Sequence, residues 1–428
     1  MNKLRILILL NLLLLSAPIY AILTIDITGG SEQGGQPIAI IPFAQAISIS
    51  PLPEDVTDII SNNLYRSGRF SIMPVNLLPE TPAYAKKINF SNWKHSGIPH
   101  LVVGRIGKNF DGYTVEFELI DVSSHNKIIG FRYKANSQTL RQVAHRISDE
   151  IYEALTGEKS VFNTKIVYVT IQAKQYHLYI ADADGDNPQL MLKSTEPILS
   201  PSWSPDGKHL AYVTYSRIGK AKRMSVYIQD IQSGYRNRIA AYKGINGAPA
   251  WSPDGRSLAL TLSKDGNPEI YILSLADNSL TRLTHNHVID TEPEWSPKGD
   301  YLVFTSDRSN TPQIYRMSIT GKDTRKLTFT GNYNARPRFS PDGKKLALLH
   351  SNGKGYKIAV LELATGKLNI LTKTTLDESP SFAPNGKMIL YATTSKLMAT
   401  SIDGQIQQSI AVNMGKSIRE PAWSPFFE

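Results

Sequence analysis

Cysteine is absent from all 428 residues. No disulfide can brace the fold, and no lipid can be attached through a thiol, so stability has to come from the core. Residues 22 to about 160 also lack a glycine-rich phosphate loop, a Cys/His cluster and a G-x-S-x-G elbow. His95, His100, His125 and His145 are scattered there and read as surface or core residues rather than ligands. A propeller-capped serine peptidase would need a hydrolase domain with a nucleophile elbow and a Ser-Asp-His order, and neither is present. Enzymatic chemistry is therefore not expected, and neither is a cofactor or a metal.

One apolar run is present, at the N-terminus. Lys3 and Arg5 precede Ile6 to Leu15, and Ala17 to Ala21 supply small residues for cleavage. Residues 1–21 read as a secretory signal cut before Ile22. An uncleaved membrane anchor is the alternative. Asn11, Ser16 and Pro18 interrupt the run and Asp26 follows closely, which falls short of the roughly 20 apolar residues a span requires. The mature chain is thus expected in an exported compartment with no span of its own.

Net charge is +10, and it is unevenly placed. Residues 22–163 carry 13 Lys/Arg against 14 Asp/Glu, whereas residues 164–428 carry 32 against 23. An exported basic region points to an acidic protein or anionic surface rather than nucleic acid, although basic side chains that merely solvate outer strands give the same count.

The second half is a repeat. Its anchors are Trp203-Ser-Pro-Asp-Gly207, Trp251-Ser-Pro-Asp-Gly255, Trp295-Ser-Pro-Lys-Gly299, Phe339-Ser-Pro-Asp-Gly343, Phe382-Ala-Pro-Asn-Gly386 and Trp423-Ser-Pro425, spaced by 48, 44, 44, 43 and 41 residues. A period in the low forties with strand-rich content marks a β-propeller, one four-stranded blade per repeat. The strand at Ile166 has no anchor before it, and Trp423 has no strand after it. Pairing these two ends closes six blades and removes both open edges. The expected fold is an α/β N-terminal domain followed by an all-β six-bladed propeller closed by its N- and C-terminal strands. The anchors read as packing and turn residues: the aromatic lies between blades, proline presets φ and glycine takes the positive-φ position.

Ahead of the ring, Leu23 to Ile27 alternates like a strand, with Gly29-Gly30 and Gly34-Gly35 flanking a polar hinge. Pro37 to Phe43 reads as a buried strand, and a helix starts near Pro53 and ends near Gly68. Strands are expected at Phe70 to Met73, Leu101 to Ile106, Tyr113 to Val122 and Lys127 to Lys134, and a helix over Thr139 to Leu155. The resulting boundaries are 22–35 for a flexible lead, 36–160 for a mixed α/β domain and 165–428 for the propeller.

A site is expected in the residues leading into each anchor: Leu199-Ser-Pro-Ser202, Asn246-Gly-Ala-Pro249, Asp290-Thr-Glu-Pro293, Asn334-Ala-Arg-Pro337, Asp377-Glu-Ser-Pro380 and Ile418-Arg-Glu-Pro421. Read as loops at the channel mouth, they form a proline-stiffened rim. Ala248 and Ala335 leave room, while Thr291, Glu292, Arg336, Glu378, Arg419 and Glu420 offer polar contacts. Asp182-Ala-Asp184-Gly-Asp186 has the spacing of the first three ligands of a calcium loop. Asn187 and Lys193 stand where that loop needs Gly and Glu, so a hairpin turn accounts for it better.

The order of these parts, with Gly35-Gln-Pro-Ile-Ala-Ile-Ile-Pro-Phe43, Asn246-Gly-Ala-Pro-Ala-Trp-Ser-Pro-Asp-Gly255, Thr291-Glu-Pro, Leu376-Asp-Glu-Ser-Pro380 and Glu420-Pro-Ala-Trp-Ser-Pro425, resembles the TolB family across the whole chain. These are periplasmic components of the Tol–Pal system of Gram-negative bacteria. The resemblance implies a monomer whose propeller mouth binds Pal, the peptidoglycan-associated lipoprotein, supporting outer-membrane integrity and constriction during division. Carried over, the Pal contacts fall on Asn246, Gly247, Ala248, Thr291 and Glu292, with Ala335, Arg336, Glu378 and Arg419 on neighbouring rim segments. Ile245 stands where the family often has a polar residue. The resemblance further implies that the C-terminal domain of TolA binds the segment Ile22, Leu23, Thr24, Ile25, Asp26, Ile27 to Glu32, and that colicins occupy the Pal site. Asp26 and Glu32 are the only charges in that segment, so backbone pairing is the expected mode. A propeller that binds peptidoglycan or another glycan remains the alternative.

Overall fold

The computed structural model describes residues 27–28, 35–45, 52–410 and 417–427. The signal segment and Ile22, Leu23, Thr24, Ile25, Asp26 and Glu32 lie outside them. In chain order the first part comprises β1 (Ile27–Thr28), β2 (Gln36–Ile40), β3 (Ala44–Gln45), α1 (Val56–Arg66), β4 (Phe70–Ile72), α2 (Phe90–Trp93), β5 (His100–Asn109), β6 (Gly112–Asp121), β7 (Lys127–Ala135) and α3 (Leu140–Thr156). The α1 helix starts at Val56, not Pro53, because the Asp55 carboxylate accepts the N–H groups of Thr57 and Asp58. The α3 helix stops at Gly157, which takes the left-handed cap with φ 70°.

These elements form a sheet of order β4-β2-β5-β6-β7, with β3 also on β5. One face buries Ile38, Ile40, Val102, Val115, Phe117 and Leu119 against Ile60, Leu64, Leu140, Ile147 and Ile151 of α1 and α3. The other face packs Ala39, Leu101, Val103 and Ile120 under Trp93, Ile88 and Ile98, supplied by the connection between β4 and β5. The Trp93 indole N–H donates to Glu80 Oε1 at 2.8 Å, so that connection is bonded to itself as well as to the sheet.

Six four-stranded blades follow. Their innermost strands are Ser417–Trp423 in blade 1, then Leu199–Trp203, Asn246–Trp251, Asp290–Trp295, Tyr333–Phe339 and Asp377–Phe382 in blades 2 to 6. Closure follows the expected route. The C-terminal strand pairs antiparallel with Lys165–Gln172, placing Trp423 opposite Ile166 and Ala422 opposite Val167. The anchors join blades by a bond that their spacing does not reveal. The indole N–H donates to the preceding inner strand from Trp203 to Ala422 O (3.2 Å), from Trp251 to Ser202 O (3.2 Å) and from Trp295 to Ala250 O (3.1 Å). Gly255 needs its φ of 71°, and a Cβ there would reach the Pro205 ring at 3.9 Å, so successive turns stack around the ring.

Blade 6 gains a fifth strand. The β1 residues Ile27 and Thr28 pair antiparallel with Gln408 and Gln407 on its outer edge. The α/β part sits on the face carrying the anchor turns. Asn385 Nδ2 donates to Lys159 O at 3.1 Å, and Lys387 meets Glu158 at 3.1 Å. The main joint is the turn Asp182–Asp186 of blade 1. Arg141 on α3 reaches Asp182 at 2.9 Å, Asp184 at 2.5 Å, Asp186 at 2.9 Å and Glu54 at 3.4 Å. Arg66 stands 3.7 Å from Asp184, Lys165 bonds Asp182, and Gln408 Nε2 donates to Arg66 O.

His145, Asp182 and Asp184 bring their ligand atoms within 4.8 Å of one another, which raises a metal reading. The hydrogen bonding opposes it. Asn63 Oδ1 accepts from Arg66, so its Nδ2 faces His145 Nδ1 as the donor at 2.9 Å. The imidazole proton is thereby placed on Nε2, the atom aimed at the two carboxylates at 3.6 and 3.8 Å. Arg141 already bonds both carboxylates. The Asp-rich segment is a hairpin turn clamped by cationic side chains.

Candidate interaction site at the propeller mouth

The six rim segments are not loops, as the sequence reading had them, but the first residues of the innermost strands. Each carries a bulge: register shifts between Leu199 and Ser202, Gly247 and Ala250, Thr291 and Glu294, Ala335 and Arg338, Glu378 and Ser381, and Arg419 and Ala422. At the bulge, Ser200, Ala248, Glu292, Arg336, Ser379 and Glu420 all adopt positive φ, between 46° and 55°. Non-glycine residues in this region cost roughly 1–2 kcal/mol each. The residue after each is proline, which lacks the N–H that the disrupted ladder would leave unpaired. Six strained residues on one ring set a belt of side chains at the mouth.

Carboxylates bridge this belt from blade to blade. Glu292 Oε2 accepts the Arg336 N–H at 3.0 Å, and Glu420 Oε2 accepts the Ser200 N–H at 3.0 Å. Thr305 Oγ1 also donates to Glu292 Oε2, at 2.9 Å. The Arg336 guanidinium lies between Glu292 Oε1 (3.0 Å) and Glu420 Oε1 (3.1 Å) and donates to Ser379 Oγ. Glu420 above all, then Glu292, holds Arg336 firmly in its charged form against the cost of burial. Arg419 meets Glu378 at 3.3 Å. Burial, then the neighbouring Glu420, pushes the Glu378 carboxyl up, and its Oε1 is buried without a partner. Three carboxylates thus face two guanidinium groups.

The expected contact residues divide on burial. The Asn246 side chain is fully buried: Oδ1 accepts from Tyr242 N–H at 2.8 Å, and Nδ2 donates to Tyr242 O at 2.9 Å and Gly244 O at 3.2 Å. Asp290, Asn334 and Asp377 stand at the same place in their blades and bond their own preceding segments. Asn246 therefore shapes the mouth from beneath instead of lining it. Ala335 is 1% exposed and Gly247 is buried, so neither presents a side chain. Ala248, Thr291, Glu292, Arg336 and Glu378 are half-buried and Arg419 is exposed, which leaves these six at the surface of the mouth.

Around the charged belt the structure adds an apolar collar that the sequence reading missed. Ile245, Ile289 and Leu376, each one residue before an inner-strand Asn or Asp, are 40%, 47% and 60% exposed. Phe329 and Tyr356 are also exposed. Main-chain bonds hold the collar beside the adjoining turns, Ser263 N–H to Ile245 O and Asp307 N–H to Ile289 O. An isoleucine or leucine directly ahead of the Asn or Asp was the available signal. This end of the propeller is opposite the face that carries the α/β part.

Residues 152–427 match the family described as TolB beta propeller domain, and residues 23–128 match the TolB amino-terminal domain. The chain belongs to the TolB family. The Tol-Pal system protein TolB of Nitrosococcus oceani is 52% identical over 423 residues, covering 96% of each chain. Its counterpart in Thioalkalivibrio sulfidiphilus is 48% identical, with 95% of each covered. The crystal structure of TolB from Acinetobacter baumannii superposes with a TM-score of 0.83 at 40% identity, covering 94% of this chain and 99% of that one. Membership in the TolB family makes the chain a component of the Tol–Pal system. Among the described residues no helix is long and apolar enough to cross a membrane.

Proposed function

We propose that this chain is a non-enzymatic periplasmic adaptor that grips Pal at the propeller mouth and offers its N-terminal segment to the C-terminal domain of TolA. In this division of labour residues 1–21 direct export, 22–35 serve TolA, 36–160 form the base and 165–428 receive Pal. The observation that carries the reading is the mouth. An exposed collar of Ile245, Ile289 and Leu376 surrounds a belt of ion-paired groups, the apolar-and-polar pattern of a protein docking site. The α/β part lies on the other face and leaves that site open. The pairing of Ile27 and Thr28 with blade 6 supports the second half, since within this chain the N-terminal segment adds as a strand to a sheet edge, the mode expected with TolA.

Ala248→Trp places a large ring over the mouth at a half-buried position without touching an ion pair. Capture of soluble Pal by the mature protein should weaken more than tenfold, about 1.4 kcal/mol or more, with little change in Tm. Deleting residues 22–34 should abolish capture of the TolA C-terminal domain and leave Pal capture intact. Wild-type affinity for Pal in the first variant would remove the mouth from the reading; unaltered TolA binding in the second would remove the segment.

A further inference from the structure

Strand β7 is the last strand of its sheet and is bonded to β6 alone among the described residues. It runs for nine residues with its other edge unpaired among the described residues, and that edge is not guarded by charge throughout, because Ile128 and Phe131 are 39% and 45% exposed. Long edges with exposed apolar residues accept added strands. The two faces of β7 differ. Gly130, Arg132 and Lys134 stand opposite Glu118, Glu116 and Thr114 on one face, whereas on the other Ile129 and Tyr133 pack against the core shared with the helices and Phe131 stays exposed opposite Phe117.

Beside the first face lies a groove of about 720 Å³ between β7 and the residues Tyr84 to Lys87. Its charge is basic. Arg105 and Arg132 share one carboxylate, Glu116, at 2.5 and 2.6 Å, and Lys127 meets Glu118 at 3.5 Å. Lys86 and Lys87 are exposed and also line the groove, with Lys87 lying 5.6 Å from the centre of the Tyr84 ring. At the centre Gly130 leaves the sheet bare, and a Cβ there would come within 3.0 Å of Phe117 O. Glu118 Cγ and Lys127 Cδ would lie 3.1 and 3.3 Å from that Cβ, so the absent side chain lets their ion pair fold flat over the strand beside the groove.

We propose that the free edge of β7 accepts an extended acidic segment of a partner protein, which pairs with the strand and sends alternate carboxylates into the groove toward Lys86, Lys87 and Arg132. The period of two along a strand dictates the pattern: acidic residues toward the groove, apolar residues toward Phe131. A second copy of this chain is a poor occupant, since Lys127, Arg132 and Lys134 would meet their own kind across the new pair.

The test uses a short fluorescein-labelled peptide of alternating Glu and Val, titrated with the mature protein at physiological ionic strength and read by anisotropy. Saturable binding is expected, with slowed amide hydrogen exchange along β7. The charge reversal Lys86→Glu with Lys87→Glu, at two exposed positions, should weaken it roughly tenfold. A peptide of the same composition with its Glu and Val residues grouped should bind far less, and one with Lys for Glu should not bind. Absence of binding overturns the proposal. So does equal affinity for the grouped peptide, indifference to the charge reversal, or unaltered exchange in β7.

Discussion

Arg336→Met should be among the most damaging single changes at the mouth. The side chain lies between Glu292 and Glu420 and also bonds Ser379. Methionine preserves much of the volume but leaves Glu292, Glu378 and Glu420 facing one another with only Arg419 nearby. Removing one partner of a buried ion pair costs about 3–5 kcal/mol. With 29% of the Arg336 side chain reaching water, about 3 kcal/mol is expected, or roughly 6–12 °C in Tm by calorimetry. The pH dependence has a definite sign. Burial and Glu420 raise the Glu378 carboxyl above its ordinary value, so the folded state binds its proton more readily than the unfolded state does. The cost of holding Glu378 charged is therefore present above the raised value and relieved as the pH falls through it. The Tm deficit of the variant should shrink on mild acidification; a deficit that grows would refute the repulsion argument.

Arg141→Ala should uncouple the two parts of the chain. One guanidinium gathers Asp182, Asp184, Asp186 and Glu54, and its side chain is only 11% exposed. Without it, Arg66 and Lys165 are left to neutralise the turn. A loss of about 3 kcal/mol from the joint is expected, so that by calorimetry the parent chain should unfold in one transition and the variant in two. Acid should act in the same direction. Burial alone would raise the Asp182 carboxyl, but His145 and Lys165 facing it hold it well below the ordinary 3.8. Its contribution is accordingly complete above that ordinary value and lost only as the pH falls through the depressed one. In the variant, which lacks the Arg141 bond to Asp182, that contribution should be smaller and its loss complete at a higher pH. One unaltered calorimetric transition would mean that Asn385, Lys387 and the remaining contacts hold the parts together unaided.

The mouth residues illustrate how far the sequence reading carried. Thr291, Glu292, Glu378 and Arg419 were legible because a proline-bearing segment recurs before every anchor. Their partners were not. Alternation along a strand assigns Glu292 and Arg336 a face only if the ladder is regular, and the bulge at each inner strand breaks that regularity. Asn246 has the same polar character as a contact residue, and only its three bonds to Tyr242 and Gly244 reveal a buried clasp. The collar was overlooked for a related reason: Ile245, Ile289 and Leu376 look like core residues until the turn geometry leaves them outside.

By itself the sequence determined the six blades, their closure at Trp423 and Ile166, and the α/β character of the first part. Each of these rests on local periodicity: a turn motif repeated in register, strands alternating by two and helices by about 3.6 residues. Only the tertiary structure decided what faces what. Arg141 and the Asp182–Asp186 turn are about 40 residues apart with no periodic signal between them, and they meet because the α/β part settles on the anchor-turn face. The edge of β7 and its basic groove are likewise set by which strand ends the sheet, a matter of long-range pairing that no local pattern encodes.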